Sequence, residues 1–316
     1  MQKILVTGAA GAVGSYLLES LAEDPKFELY GVVRSVSQAK TDPLRALSGK
    51  VSWLLADLSR DNVVEHLIGD VKADVCFHFA SWARPRESFD RPAAYVQNNV
   101  FSTLNILEGI RKRSPWTTFL LASTPEVCSN TAPIIDEFSP VAPTNPYGAS
   151  KAACESLTRA YSHSFGVKTL IVRTGSYINP RRKDLAISSF AGQIAACEAG
   201  LASVVRHGNL KSVRNWLDVK DVIRGYRILA DKGVAGETYC MGGSEVSSVG
   251  DLLQRLLARS TKKGIRLVPD PPLSRPVDVE QQIVHSKKLE ALDWRPTVQL
   301  DDSLMWLMTS ARKDFE

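Results

Sequence analysis

An apolar run, Lys3-Ile4-Leu5-Val6-Thr7, leads directly into Gly8-Ala9-Ala10-Gly11-Ala12-Val13-Gly14 and then into residues with helical periodicity. No other segment restricts the possible folds so far. A buried strand that runs into a glycine turn and a helix is the opening unit of a doubly wound parallel sheet. The glycines permit a tight turn, close approach of a pyrophosphate to the backbone, and packing of the helix on the strand; the helix amino terminus attracts the anion. Gly8, Gly11, Ala12, Val13 and Gly14 are therefore expected to cradle a dinucleotide. Their spacing, Gly-x-x-Gly-x-x-Gly, departs from the general fingerprint, so the reading rests on the order strand, loop, helix.

Further apolar runs at 27–33, 51–56, 75–80, 119–122 and 169–172 are separated by helical patterns. Such alternation predicts an α/β fold, a Rossmann-type doubly wound parallel sheet. After Arg173 the character shifts to a polar loop, Asn179-Pro180-Arg181-Arg182-Lys183-Asp184, a helix near Ile187 to Ala199, and the proline-rich stretch Pro269 to Pro276. Residues 1–173 are expected to bind the dinucleotide, with a return segment near 215–240, and residues 174–316 to form a smaller carboxy-terminal α/β lobe for substrate.

The second apolar run ends in Arg34-Ser35, about twenty residues past the glycine loop. An acid there would bind the ribose 2′-hydroxyl of NAD, whereas arginine accommodates a 2′-phosphate. NADP(H) is therefore expected in preference to NAD(H).

Composition excludes several classes. At 316 residues, 44% hydrophobic and 23% charged, the chain is ordinary globular material. The net charge of +5 is modest, and no basic run carries interleaved aromatics, so nucleic acid is not an expected partner. The first strand starts at once, without a basic leader or an apolar span of membrane length, which predicts a soluble cytoplasmic protein. Cys76, Cys128, Cys154, Cys197 and Cys240 are scattered and fall mostly in apolar segments, as buried small hydrophobes do. The five histidines do not cluster, and no metal site is expected.

Tyr147-Gly148-Ala149-Ser150-Lys151 places a phenol and an ammonium four residues apart. On a helix the two share a face, so the lysine charge can favour phenolate and lower the tyrosine pKa. A tyrosine so placed can exchange protons with a carbonyl. Thr124 lies upstream, at the end of an apolar strand.

Thr7-Gly8-x-x-Gly11-x-x-Gly14, Asp57-Leu58, His78-Phe79-Ala80-Ser81, Asn99-Val100, Ser123-Thr124-Pro125-Glu126-Val127 and Tyr147-Gly148-Ala149-Ser150-Lys151 together resemble the extended short-chain dehydrogenases/reductases that act on nucleotide sugars. The resemblance implies that Asp57 and Leu58 flank the adenine, that Phe79, Ala80 and Ser81 lie along the cofactor, and that Asn99 supports the active site. Ala186 to Ile194, Gly208-Asn209-Leu210 with Arg214, Asp218 to Val222, and Arg275-Pro276-Val277-Asp278-Val279 resemble the GDP-4-keto-6-deoxy-mannose reductase branch, and more weakly the GDP-mannose 4,6-dehydratases. By the same resemblance Arg214 and Arg275 lie near the nucleotide diphosphate, which guanidinium forks suit. One segment departs from the pattern. Where the family carries Arg-Pro-Phe-Asn-His and a glycine-rich turn, this chain has Arg173-Thr174-Gly175-Ser176-Tyr177-Ile178-Asn179-Pro180-Arg181-Arg182. Ser176 thus takes the place of the sugar-facing asparagine, the turn becomes basic, and the sugar is left open.

The expected reaction is NADPH-dependent reduction of the C4 ketone of a nucleotide-linked 4-keto-6-deoxyhexose, GDP-linked by the resemblance alone. Tyr147 would act as general acid, Thr124 as a hydrogen-bond partner of the same oxygen, and Lys151 as support for the nicotinamide ribose and the tyrosine. Glu126 leaves a 4,6-dehydratase open, because such an enzyme needs a carboxylate base for the C5 proton. A C4 epimerase would use the same Tyr147 and Lys151 and retain its nicotinamide; a non-catalytic sensor would have no need of the intact trio. Trp82, Ser176 and Asn179 are the remaining substrate-facing residues expected. Asp218 and Asp221 read as helix caps rather than a metal pair. The resemblance also implies a homodimer formed through the segments near 93–112 and 147–165.

Overall fold

The computed structural model describes residues 1–39, 42–128, 133–273 and 276–316. Its strands are β1 (Gln2–Thr7), β2 (Phe27–Val33), β3 (Val51–Leu55), β4 (Val75–His78), β5 (Thr118–Ser123), β6 (Ile134–Ile135), β7 (Thr169–Thr174), β8 (Tyr177–Ile178), β9 (Val204–His207), β10 (Val213–Asp218), β11 (Thr238–Met241), β12 (Glu245–Ser248), β13 (Arg266–Pro269) and β14 (Gln281–Val284). The helices are α1 (Gly14–Leu21), α2 (Val36–Ala39), α3 (Asp42–Arg45), α4 (Asp61–Val71), α5 (Pro85–Asp90), α6 (Pro92–Arg113), α7 (Pro146–Phe165), α8 (Ala186–Glu198), α9 (Val219–Lys232), α10 (Val249–Ala258), α11 (Lys287–Glu290) and α12 (Leu300–Arg312).

Among the described residues, seven strands form one sheet in the order β11-β7-β5-β4-β1-β2-β3, and every pairing in it is parallel. Both faces are buried, as the near-continuous apolar runs require. In β1 the alternation is visible residue by residue: Ile4 and Val6 join the core beneath α1 and α9, while Leu5 joins the core beneath α4, α6 and α7. Burying one such side chain stabilises by about 1.5–3 kcal/mol. The sheet order reverses between β1 and β4, and in open α/β sheets ligands bind at such a switch point, outside the carboxyl ends of the strands.

After β7 the chain leaves this sheet, and it returns as α9, packed beside α1, and as the edge strand β11. The intervening and following residues build a second sheet, β12-β10-β14-β6 with β8 on β10, and a two-stranded pair, β13-β9. Helices α8, α10 and α12 enclose a separate apolar core there, which includes Phe190, Ile194, Leu253 and Leu304.

Helix α7 has its ends written in sequence. Asn145 caps it, its Oδ1 accepting from the Gly148 N–H at 2.8 Å, Pro146 stands in the first turn, and Gly166 ends it at φ +68°. Gly148 is needed for packing: a Cβ there would lie 2.5 Å from the Glu126 carbonyl oxygen. The helix therefore presses directly on the 3₁₀ turn Pro125–Val127 that follows β5.

Candidate active site

Gly8, at φ +63°, lies at the switch point between β1 and β4. A Cβ on it would stand 2.7 Å from the Ala80 nitrogen, and one on Gly14 would stand 2.4 Å from the Gly8 oxygen. Gly11 is similarly confined, 2.9 Å from the same oxygen. The loop is thus folded back on itself, and Ala12 and Val13 lead into the amino terminus of α1, which carries no side-chain cap; a helix amino terminus favours an anion. This glycine-lined cradle fits a dinucleotide pyrophosphate.

The segment after β4 lies directly against this loop. Thr7 ties the two together, its Oγ1 accepting from the Ala80 N–H at 3.3 Å and bonding His78 Nδ1 at 2.8 Å. Burial, aided by the charge of Lys151, lowers the His78 pKa to about 3, so the imidazole is neutral at physiological pH. Phe79 packs edge-on against Tyr226 at 4.8 Å, and Ser81 is half-buried. Asn99, 1% exposed, accepts from the Trp82 N–H at 2.7 Å, donates to the Trp82 carbonyl at 3.1 Å and donates to Ser150 Oγ at 2.9 Å. One amide thereby fixes the cofactor-side loop to the helix that carries Tyr147 and Lys151.

Tyr147, Thr124 and Lys151 are all buried. Thr124 Oγ1 accepts from the Glu126 N–H at 3.3 Å, which caps the 3₁₀ turn. The electrostatics correct the expectation that Lys151 lowers the tyrosine pKa. Burial dominates and pushes the phenol up; the leading charge opposing it is the Arg182 guanidinium. Burial likewise lowers the pKa of Lys151, against the charges of Cys154 and Glu155. A phenol so placed holds its proton throughout the neutral range, as a proton donor requires. The Glu126 carboxylate accepts from the Asn145 side-chain amide at 2.7 Å.

Beyond the carboxyl ends of β2 and β3, Arg34 is exposed, its N–H bonded to Gln38 Oε1 at 2.9 Å, and Ser35 Oγ lies 2.9 Å from Ser37 Oγ. Asp57 accepts from the Ser59 hydroxyl and N–H, which with the charges of Arg60 and Arg34 holds its carboxyl below the usual range. Leu58 is buried, and its carbonyl accepts from Asn105 Nδ2 at 3.0 Å.

The expected substrate residues separate. Trp82 is partly buried against Tyr95, with ring centroids 5.5 Å apart, and under the Arg91 guanidinium at 4.7 Å. Ser176 is half-buried beside β8. Arg214 donates to the carbonyls of Val213 at 2.7 Å and Val279 at 2.9 Å, an anchoring of β10 that sequence spacing does not reveal. Arg275 lies outside the described residues. Asn179 is a correction: it has no exposed surface to offer a sugar, and its amide instead donates to the Ala12 carbonyl at 3.2 Å. Tyr177 and Arg182 were missed. Arg182 donates to the Ala83 carbonyl at 2.9 Å and makes two bonds to Asp184, while Arg84 reaches Asp184 at 3.2 Å. The basic turn was visible in sequence; its targets, some 100 residues away, were not. Asp218 caps α9 by accepting from the Lys220 N–H, and Asp221 accepts from the N–H groups of Thr297 and Val298. Among the described residues no cluster could hold a metal, and no helix is long and apolar enough to cross a membrane.

Fold and site together define an extended short-chain dehydrogenase/reductase, an NAD(P)-dependent oxidoreductase of nucleotide sugars. The profile of the family described as GDP-mannose 4,6 dehydratase matches residues 5–305, and the chain belongs to that family. It is 29% identical to the GDP-6-deoxy-D-mannose reductase of Pseudomonas aeruginosa, over 98% of this chain and 96% of that one. It is 27% identical to the human dTDP-D-glucose 4,6-dehydratase, over 99% and 91%. The solved structure of RMD from Pseudomonas aeruginosa complexed with NADPH superposes with a TM-score of 0.80, at 27% identity, covering 99% of this chain and 100% of that one. A UDP-glucose 4-epimerase from Thermotoga maritima, at 23% identity and a TM-score of 0.88 over the full length of both, shares the fold.

Proposed function

We propose that the protein reduces the C4 ketone of a nucleotide-linked 4-keto-6-deoxyhexose, GDP-linked, with NADPH as reductant. The observation that carries this reading is the joint burial of Tyr147, Lys151 and Thr124, with the helix that bears the first two packed directly on the turn that Thr124 caps. The end-to-end similarity to a GDP-6-deoxy-D-mannose reductase supports the choice of reaction and nucleotide. Arg34, just past β2 at the position where an acid would select NAD, supports NADP(H).

A bound nicotinamide would supply the hydride. Gly8, Gly11, Ala12, Val13 and Gly14 would hold its pyrophosphate, Arg34 and Ser35 its adenosine phosphate, Asp57 and Leu58 its adenine, and Phe79, Ala80 and Ser81 the chain between. Lys151 would bind the nicotinamide ribose, and Asn99 would keep the segment after β4 in place. Tyr147 donates its proton to the sugar oxygen as negative charge gathers there, while Thr124 hydrogen-bonds to that oxygen. Trp82, Ser176, Arg214 and Arg275 are proposed to face the sugar and its diphosphate. In this reading residues 174–316, apart from the return near 215–240, form the substrate lobe. A homodimer would form through α6 and α7, where Val96 and Phe101 are exposed. The five buried thiols suit the reducing cytoplasm, where such an enzyme would work.

One observation favours a second reading. The Glu126 carboxylate is held by the Asn145 amide, and the Glu126 N–H bonds Thr124 Oγ1; a 4,6-dehydratase would need a carboxylate base, and this one supports that role. Purified protein incubated with GDP-4-keto-6-deoxymannose and NADPH should consume the reductant stoichiometrically, with a product heavier by two hydrogens. Conversion of GDP-mannose with loss of water and no added reductant would establish the dehydratase instead.

A further inference from the structure

Two residues of the basic turn that departs from the family pattern, Asn179 and Arg181, reach onto the glycine loop and the helix after it. Asn179, fully buried, donates from Nδ2 to the Ala12 carbonyl at 3.2 Å; its Oδ1 accepts from the Arg181 N–H at 2.9 Å, and its own carbonyl accepts from Ser188 at 3.0 Å. Arg181 then donates to Ser15 Oγ at 2.8 Å and to Glu19 at 2.6 Å, with its guanidinium carbon 3.7 Å from the centroid of Tyr16. Ala12 belongs to the loop itself, and Ser15 and Tyr16 to the first turn of α1, whose amino terminus would meet the anion. A glycine-rich loop pays conformational entropy to adopt one shape, and anchors that hold that shape before binding lower the cost of binding.

We propose that Asn179 and Arg181 are positioning residues for the nicotinamide cofactor. Acting through Ala12, Ser15 and Glu19, they make the entry to the substrate lobe set the affinity of the dinucleotide site. The inference rests on the proposed reading of the glycine loop as the cofactor cradle.

The test is a fluorescence titration of the intact protein with NADPH. Asn179→Asp keeps the acceptor for the Arg181 N–H and removes the donor to Ala12. Arg181→Met keeps an apolar stem on Tyr16 and removes both polar contacts. Each variant is expected to raise the NADPH Kd about tenfold, the equivalent of one lost hydrogen bond with its unpaired partner. In turnover the KM for NADPH should rise by a larger factor than the KM for the sugar. Variants that keep the parent melting temperature and bind NADPH within twofold of the parent would overturn the proposal. So would an equal rise in both KM values, which general loosening would produce. If Asn179→Asp does not fold, Arg181→Met, at a partly exposed side chain, decides alone. Failure of the parent itself to bind either NADPH or NADH would overturn the proposed function together with this inference, and the variants separate the two cases.

Discussion

The side-chain amide of Asn145 spans the site: its oxygen caps helix α7 at the Gly148 N–H, and its nitrogen donates to the Glu126 carboxylate at 2.7 Å. The group that starts the helix of Tyr147 and Lys151 therefore also orients the carboxylate of Glu126, whose N–H bonds Thr124 Oγ1. Glu126→Gln keeps a hydrogen-bonding oxygen but removes the base. In a C4 reductase it should change kcat by less than about tenfold, whereas a dehydratase that depends on this base should lose about 10²–10⁴. Steady-state rates with the keto sugar and with GDP-mannose read the two outcomes.

Tyr147→Phe should lower kcat by about 10²–10⁴ while NADPH binding, read by fluorescence, is retained. Unchanged turnover would remove the tyrosine from the role of acid.

The pH dependence follows from burial, which raises the Tyr147 pKa above its ordinary value despite the opposing charge of Arg182. The proton-donating form exists below the folded pKa and is lost only as pH rises through it. Reduction should therefore show no alkaline limb attributable to this phenol below about pH 10, the ordinary tyrosine value. A falling limb in kcat between neutrality and that pH, absent from the Tyr147→Phe residual rate, would contradict the assignment.

Arg34→Ala should weaken NADPH binding about tenfold or more, the scale of a charge-assisted hydrogen bond, and leave NADH binding nearly unchanged. Paired titrations with the two cofactors check this. Equal effects on both would point to a role outside 2′-phosphate recognition.

Beneath the site, Glu155 and Arg173 form a fully buried pair at 2.9 Å, shared with Ser123 and Arg159. Burial raises the Glu155 pKa, but its hydrogen bonds and the Arg173 charge outweigh this, so the net shift is downward. The stability it confers is present above the unfolded carboxyl value and is lost as pH falls through the lower folded value. Glu155→Gln leaves Arg173 without its counter-charge and should destabilise by about 3–5 kcal/mol in denaturant unfolding at neutral pH. Most of that difference should vanish in acid.

Sequence alone determined what is local. The strand, glycine turn and helix at the amino terminus, the apolar runs of the parallel sheet and the Asn-Pro opening of α7 are encoded by neighbours in the chain, through periodicity, capping and turn chemistry. The spacing of Tyr147 and Lys151 placed them on one helix, and the structure buries both. Only the tertiary structure decided which distant groups those residues meet. The phenol answers to burial and to Arg182 more than to its helical neighbour, and Asn179, which sequence aims at a sugar, is turned to the Ala12 carbonyl 167 positions earlier in the chain. Electrostatic energies and hydrogen bonds depend on distance and desolvation in three dimensions, and neither can be read from separation along the chain.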